Sequence, residues 1–266
     1  MVKIAITGSA GRMGGRITAL AAADAKNFKI VSAMDMAGHR AMGSDVGLVA
    51  GVGPVGVAIS ESLQGEPDVI IDFSSPEGTM KWLAIARQRK IGMVIGTTGL
   101  TESHLAEIAD AASAIPIVQA PNMSVGVNLL FRIVGEVAKA LGEDYDIEIT
   151  ETHHRFKKDA PSGTALGLAR SICDATGKDM GSTLVHGRSG LSPRQPGEIG
   201  MHALRVGDTV GEHSVYFGNL GETITISHSA HTRDTFVRGA LRAAGWLPGK
   251  AAGLYSMQDV LFGQRA

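Results

Sequence analysis

Val2-Lys3-Ile4-Ala5-Ile6-Thr7-Gly8-Ser9-Ala10-Gly11-Arg12-Met13-Gly14 decides how the first half of the chain is read. The apolar run over residues 2–7 predicts a strand, the glycines at 8, 11 and 14 a tight turn, and residues 12–23, with Ile17 and Leu20 at helical spacing, a helix. Strand, turn and helix in that order form the setting of a phosphate-cradling turn. Glycine lets backbone N–H groups approach a pyrophosphate, and the helix N-terminus supplies partial positive charge. The three-residue interval departs from the standard dinucleotide fingerprint, whose first two glycines are separated by one residue, and it also suits a purely structural turn. Asp35 ends the second strand near the interval at which a carboxylate accepts hydrogen bonds from an adenosine ribose. An ordinary solvated acid is the alternative there. Gly8, Ser9, Ala10, Gly11, Arg12, Met13 and Asp35 are therefore candidate cofactor contacts.

The charge on Asp35 bears on which dinucleotide binds. A 2′-phosphate beside it would be repelled by up to about 4 kcal/mol at contact with surface-like screening. Met36 cannot offset that repulsion, so NADH is expected in preference to NADPH, with His39 and Arg40 the nearby groups that oppose the expectation.

Outward from this turn, further strands are expected at residues 28–34, 69–73, 93–96 and 115–119, with helices at 76–89 and 102–113 between the later ones. Alternating strands and helices with near-continuous apolar strands imply a parallel sheet covered on both faces. Two later turns, Gly96-Thr97-Thr98-Gly99 and Ala120-Pro121-Asn122-Met123, fall beyond strand carboxyl ends, where such a sheet exposes its ligands. Gly96, Thr97, Thr98, Ala120, Pro121, Asn122 and Met123 join the candidate cofactor contacts, plain turn chemistry being the alternative.

The pattern changes after a helix at 124–141. Strand-like segments at 146–152, 213–218 and 222–228 alternate: Ile224, Ile226 and His228 share one face, Thr223, Thr225 and Ser227 the other. A sheet with one small, weakly polar face suits either solvent or association between copies, and we expect a homo-oligomer built through it. A terminal helix at 233–246, closed by Pro248-Gly249, returns to the first domain, and residues 187–197 form the main irregular segment. The expected fold is α/β: a doubly wound, Rossmann-like parallel-sheet cofactor domain (residues 1–124 plus 233–266), and a second α+β domain (residues 125–232) with a mixed, largely open-faced sheet. Hinges are expected near 120–125 and around His231.

The 266 residues can bury a substantial core, and the formal net charge of -1 offers no global attraction to nucleic acid or a membrane surface. A small-molecule ligand is the default partner. The single Cys173 can form no internal disulfide, and a reducing cytoplasm suits it. No basic-then-apolar leader precedes the first strand and no apolar run is long enough to span a bilayer, so neither secretion nor membrane insertion is expected.

The chemistry is expected in His153-His154-Arg155-Phe156-Lys157-Lys158-Asp159-Ala160-Pro161-Ser162-Gly163-Thr164-Ala165-Leu166. An imidazole that titrates near neutrality and an ammonium a few residues on precede a helix entry capped by Ser162, whose N–H groups and Thr164 hydroxyl make a carboxylate site. A capped helix with no ligand is the plain alternative. Adjacent strand-end histidines point to opposite sides, so His153 and His154 do different jobs and converge poorly on one ion. His228 and His231 span a strand end and a helix start, and no metal is expected. The Arg155–Lys158 charges lack the aromatic neighbours of a nucleic-acid patch. Ser162 is not a nucleophile elbow, because Ala160 occupies the first glycine position.

These segments, together with Gly207-Asp208-Thr209-Val210-Gly211-Glu212-His213 and Gly221-Glu222 leading to His228, resemble the 4-hydroxy-tetrahydrodipicolinate (dihydrodipicolinate) reductase family of the diaminopimelate and lysine pathway. The resemblance runs in order over nearly the whole chain. It implies NAD(P)H-dependent reduction of a cyclic unsaturated dicarboxylate. It also implies His153 as proton donor, Lys157 as second proton-donating and orienting group, His154 as a substrate contact and Gly163 with Thr164 at a substrate carboxylate; Ser162, the cap beside them, is also expected at the substrate. Many relatives carry Arg where this chain has Met36, which weighs against dual cofactor use and agrees with NADH being preferred over NADPH, and a homotetramer joined through the second domain's sheet is implied. A dinucleotide-sensing regulator without activity and a semialdehyde dehydrogenase sharing the cofactor domain are the rival readings.

Overall fold

The computed structural model describes residues 1–263. In chain order the elements are β1 (Val2–Thr7), α1 (Arg12–Ala23), β2 (Phe28–Met34), α2 (Val46–Val49), β3 (Ile59–Ser60), β4 (Val69–Asp72), α3 (Pro76–Arg89), β5 (Gly92–Ile95), α4 (Glu102–Ala112) and β6 (Pro116–Gln119). There follow α5 (Val125–Leu141), β7 (Asp146–His153), α6 (Gly163–Thr176), α7 (Met180–Thr183), β8 (Leu184–His186), β9 (Ile199–Arg205), β10 (Gly211–Asn219) and β11 (Glu222–Ala230). The last are α8 (Asp234–Trp246), β12 (Gly253–Tyr255) and α9 (Met257–Phe262). The chain divides into two compact units, residues 126–233 and the remainder on either side.

The first unit holds a seven-stranded sheet in the order β12-β6-β5-β4-β1-β2-β3, and every pairing in it is parallel. Side chains alternate across a strand. Ile4 and Ile6 of β1 therefore join one core with Ile17, Val237 and Ala244, while Ala5 faces a second core with Trp82, Leu83 and Ile108. Burial on both faces is why these strands carry unbroken apolar runs. The short β3 and β12 and the helix α9 were not anticipated; two- or three-residue strands at a sheet edge leave no readable period.

The second unit holds a five-stranded sheet in the order β11-β10-β7-β9-β8, antiparallel on one side of β7 and parallel on the other. Ile147, Ile149, Val215 and Phe217 pack on Leu130, Val134, Leu168 and Ile172 of α5 and α6. The opposite face carries Thr and Ser side chains, with Ser214 and Ser227 hydrogen-bonded across β10 and β11 at 2.8 Å. Near β9 it also carries Glu148, which gathers Arg188 (3.1 Å), His202 (2.7 Å) and Arg194. Gly200 lies opposite, where an added Cβ would sit 1.7 Å from a Glu148 oxygen, so only glycine leaves room for this cluster. The strands β8 and β9 were missing from the sequence reading, whereas residues 187–197 are irregular as expected.

Candidate active site

In the first unit the candidate cofactor residues gather at the carboxyl ends of β1, β2, β5 and β6. Gly8 has a φ of +60°, and an added Cβ would stand 2.7 Å from the Phe73 carbonyl. At Gly14 it would stand 2.2 Å from the Gly8 carbonyl, so both glycines are needed for the turn to close against α1. Helices α3, α4, α6 and α9 each begin with a side-chain cap, whereas α1 has none at Gly11 and no acid in its first turn. Uncapped amides at the end of a glycine turn fit an anionic pyrophosphate. Asp35 faces this turn: its carboxylate accepts from Ala10 N–H and Met36 N–H, each at 2.8 Å. Two of roughly four carboxylate lone-pair sites are thus used, leaving others for a ligand hydroxyl.

Five of the expected contacts are buried. Ser9 and Met123 are enclosed, Ser9 with its N–H on the Met34 carbonyl and Met123 in the core. Ala120 is buried in the same core. Gly96 is glycine because the Phe73 ring lies where its Cβ would be, within 2.3 Å. The Thr97 hydroxyl donates to Asp72 at 2.8 Å and accepts from Ser74 N–H at 3.0 Å, so it is committed to the protein. Gly8, Ala10, Gly11, Arg12, Met13, Asp35, Thr98, Pro121 and Asn122 retain accessible surface.

Asp72 was not anticipated. It is fully buried and accepts hydroxyl hydrogen bonds from Ser74 (2.6 Å), Thr79 (2.5 Å), Thr97 (2.8 Å) and Thr7. Thr7 and Asp72 are register partners on β1 and β4, where the strand order reverses and such sheets open a ligand crevice. An acid ending the apolar run Val69-Ile70-Ile71, with hydroxyls just after it, was the available signal.

In the second unit β7 delivers Glu151 and His153 to the helix-covered face, two residues apart. Glu151 is 0% exposed, and each of its oxygens accepts two hydrogen bonds. Oε1 takes Ser162 N–H (3.0 Å) and Arg205 Nη2 (2.8 Å); Oε2 takes Arg205 Nη1 (2.9 Å) and His153 Nδ1 (2.5 Å). A carboxylate there requires the proton on Nδ1, which leaves Nε2 of His153 outside that contact. The space beside Nε2 exists because position 211 is glycine; a Cβ there would approach to 3.0 Å. His213 meets His153 edge-on at 5.2 Å.

His154 leaves the strand on the other side, near Phe156, and Lys157 pairs with Asp159 at 2.9 Å. Gly163 and Thr164 form the first turn of α6, as expected. Ser162 is 1% exposed: its hydroxyl accepts from Ala165 N–H at 3.1 Å and bonds His213 Nε2 at 3.2 Å. In this structure its hydroxyl therefore caps α6 and meets His213. Arg205 was missed because β9 was missed. Glu151 was within reach of the period-two pattern. Among the described residues no three His, Cys, Asp or Glu side chains gather as a metal-holding group.

Burial alone would raise the Glu151 carboxyl, but Arg205, His153 and the Ser162 N–H outweigh it and hold it below the usual range. Burial lowers His153, against the pull of Glu151 and with help from Lys157 and Arg205. Burial, then the neighbouring His153 charge, pushes His213 down to about 3.

An all-parallel sheet with β1 to β6 in the order three-two-one-four-five-six and a glycine turn at its first strand–helix junction defines a dinucleotide-binding protein. The N-terminal and C-terminal models of dihydrodipicolinate reductase match residues 2–123 and 126–261. The chain belongs to the dihydrodipicolinate reductase family. It is 50% identical over 265 residues to the 4-hydroxy-tetrahydrodipicolinate reductase of Geobacter metallireducens, covering 98% of this chain and 99% of the relative. It is 49% identical to that of Geobacter sulfurreducens with the same coverage. In fold it is similar to the dipicolinate-bound dihydrodipicolinate reductase from Paenisporosarcina sp. TG-14, with a TM-score of 0.76 and 22% identity over 98% of this chain and 100% of that one.

Acid should unfold this site. The unfolded chain protonates histidine near ~6.5, whereas folded His213 resists until about 3. Its contribution to stability is therefore complete above the first value and lost as pH falls toward the second. Glu151, depressed in the fold, acts in the same direction. His213→Phe is expected to flatten the fall of the urea midpoint below pH ~6.5; parallel profiles for the two proteins would refute the assignment.

Proposed function

We propose that the chain reduces 4-hydroxy-tetrahydrodipicolinate, or its dehydrated form, to tetrahydrodipicolinate in diaminopimelate and lysine biosynthesis. Membership of the reductase family over both halves of the chain carries this reading. NAD(P)H, when bound, supplies the hydride. Gly8, Gly11, Arg12, Met13 and Asp35 would hold it, with Thr98, Pro121 and Asn122 beside them, and the uncapped amides of α1 receive its pyrophosphate. Asp35 is turned toward that pocket, and Met36, 70% exposed, brings no positive charge, which favours NADH over NADPH.

His153 is the proton donor. Burial lowers its proton affinity, and a bound dianion opposes that effect, so proton uptake and substrate binding reinforce one another. Lys157 orients the ring and is the second donor; Asp159 holds its ammonium in reach. His154 contacts the substrate, and the α6 turn at Gly163 and Thr164 receives a substrate carboxylate. Fixing the ring by its carboxylates converts a bimolecular encounter into an oriented one.

The small polar face of β7, β10 and β11 is the surface through which we propose that four chains associate. A reducing cytoplasm is the compartment proposed for the chain, whose one cysteine, Cys173, is buried and free. No described helix is long and apolar enough to cross a membrane.

Mixing the protein with the condensation product of pyruvate and aspartate semialdehyde should consume NADH, followed by absorbance, with higher catalytic efficiency than NADPH. Cofactor binding without turnover would point instead to a regulator. Lys157→Met is expected to cut turnover by about a hundredfold or more with NADH binding nearly intact; unchanged turnover removes Lys157 from the mechanism. Light scattering should return the mass of four chains, and a lysine at Ser227 should lower it, whereas a monomeric wild type would end the assembly proposal.

A further inference from the structure

The acid–base side chain of this site is not held by its own strand alone. Glu151 bridges His153 Nδ1 and the Ser162 N–H that opens α6, so one carboxylate reaches both the proton donor and the helix end assigned to the substrate carboxylate. Arg205, from β9, grips both Glu151 oxygens and continues to the Asp159 carbonyl at 2.6 Å, tying in the loop that carries Lys157. We propose that Glu151, clamped by Arg205, is the positioning residue of the reaction: it fixes the tautomer and aim of His153 and sets the pH range over which that residue delivers its proton.

The inference rests on His153 being the proton donor. In the step itself, the N–H bond at Nε2 of the imidazolium breaks and the proton passes to the ring made anionic by hydride addition. Neutral imidazole remains, its Nδ1–H still donating to Glu151, and solvent reloads Nε2. A carboxylate on Nδ1 stabilises the charged ring before transfer and prevents the proton from shifting to the unproductive nitrogen. The charged and titratable groups facing His153 are Glu151 on its own strand, Arg205 on β9, His213 on β10 and Lys157 on the following loop, with Asp159 paired to Lys157. Among the described residues Glu151 is the one acid in direct contact with the ring, so its loss makes the imidazolium harder to form, whereas loss of Arg205 makes it easier.

Three kinds of variant test this: Glu151→Gln, Arg205→Met and the doubly neutral Glu151→Gln/Arg205→Met, which leaves no unpaired buried charge if either single variant folds poorly. The readouts are kcat and kcat/KM against pH, NADH binding by fluorescence, and the imidazole 15N shifts of His153. The expected result is a loss of about 10- to 100-fold in kcat for Glu151→Gln and the double variant, with NADH affinity unchanged. The alkaline limb should move to lower pH for both and to higher pH for Arg205→Met, and the 15N shifts should show a mixed tautomer once Glu151 is gone. A purely structural clamp would lower activity without moving the limb in opposite directions. Unmoved limbs and unchanged 15N shifts overturn the inference while leaving the donor assignment intact. Full turnover by His153→Gln overturns the donor assignment itself.

Discussion

The second unit is organised by one buried carboxylate. Glu151 is fully enclosed and could not remain ionised there without compensation, since burial of an unpaired charge costs several kcal/mol. All four of its acceptor sites are filled, two by Arg205, one by His153 and one by the α6 entry. Removing one partner of such a pair typically costs about 3–5 kcal/mol. The exposed pairs Arg87–Asp110 and Arg132–Glu136 belong to a class worth about 0–1 kcal/mol. The orientation of His153, the position of α6 and the placement of the loop holding Lys157 are therefore coupled to this contact and not to the surface charges.

The first unit repeats the device with different chemistry. Asp72 also fills both oxygens, but with hydroxyls from Thr7, Ser74, Thr79 and Thr97, which join β1, β4, α3 and the turn after β5. These are the strand ends that shape the glycine turn. A ring of hydroxyl donors satisfies a buried acid without adding a second charge. Gly8 and Gly14 then bring the turn and α1 together at distances that any Cβ would prevent.

Much of this was legible along the chain. Residues 2–14 declared a strand, a turn and a helix, and the apolar strands declared a doubly wound sheet, because both signals are local and periodic. The candidate site residues from His153 and the cap at Ser162 were visible for the same reason: they occupy one contiguous stretch, and strand alternation separates His153 from His154. That Ser9, Gly96, Thr97, Ala120 and Met123, all expected as cofactor contacts, are buried was not legible. Turn composition does not tell whether a small residue faces a ligand or a neighbouring ring such as Phe73.

What the sequence alone determined is which residues share a strand face, a helix start or a turn, since those follow from backbone periodicity within a few residues. What only the tertiary structure decided is which distant groups complete them. Arg205 reaches Glu151 across 54 positions because β9 lies parallel to β7, and Thr7 reaches Asp72 across 65 because β1 lies beside β4. Neither partner has a local signal, for the energy that selects it comes from burying a carboxylate, and burial exists only once the strands have paired.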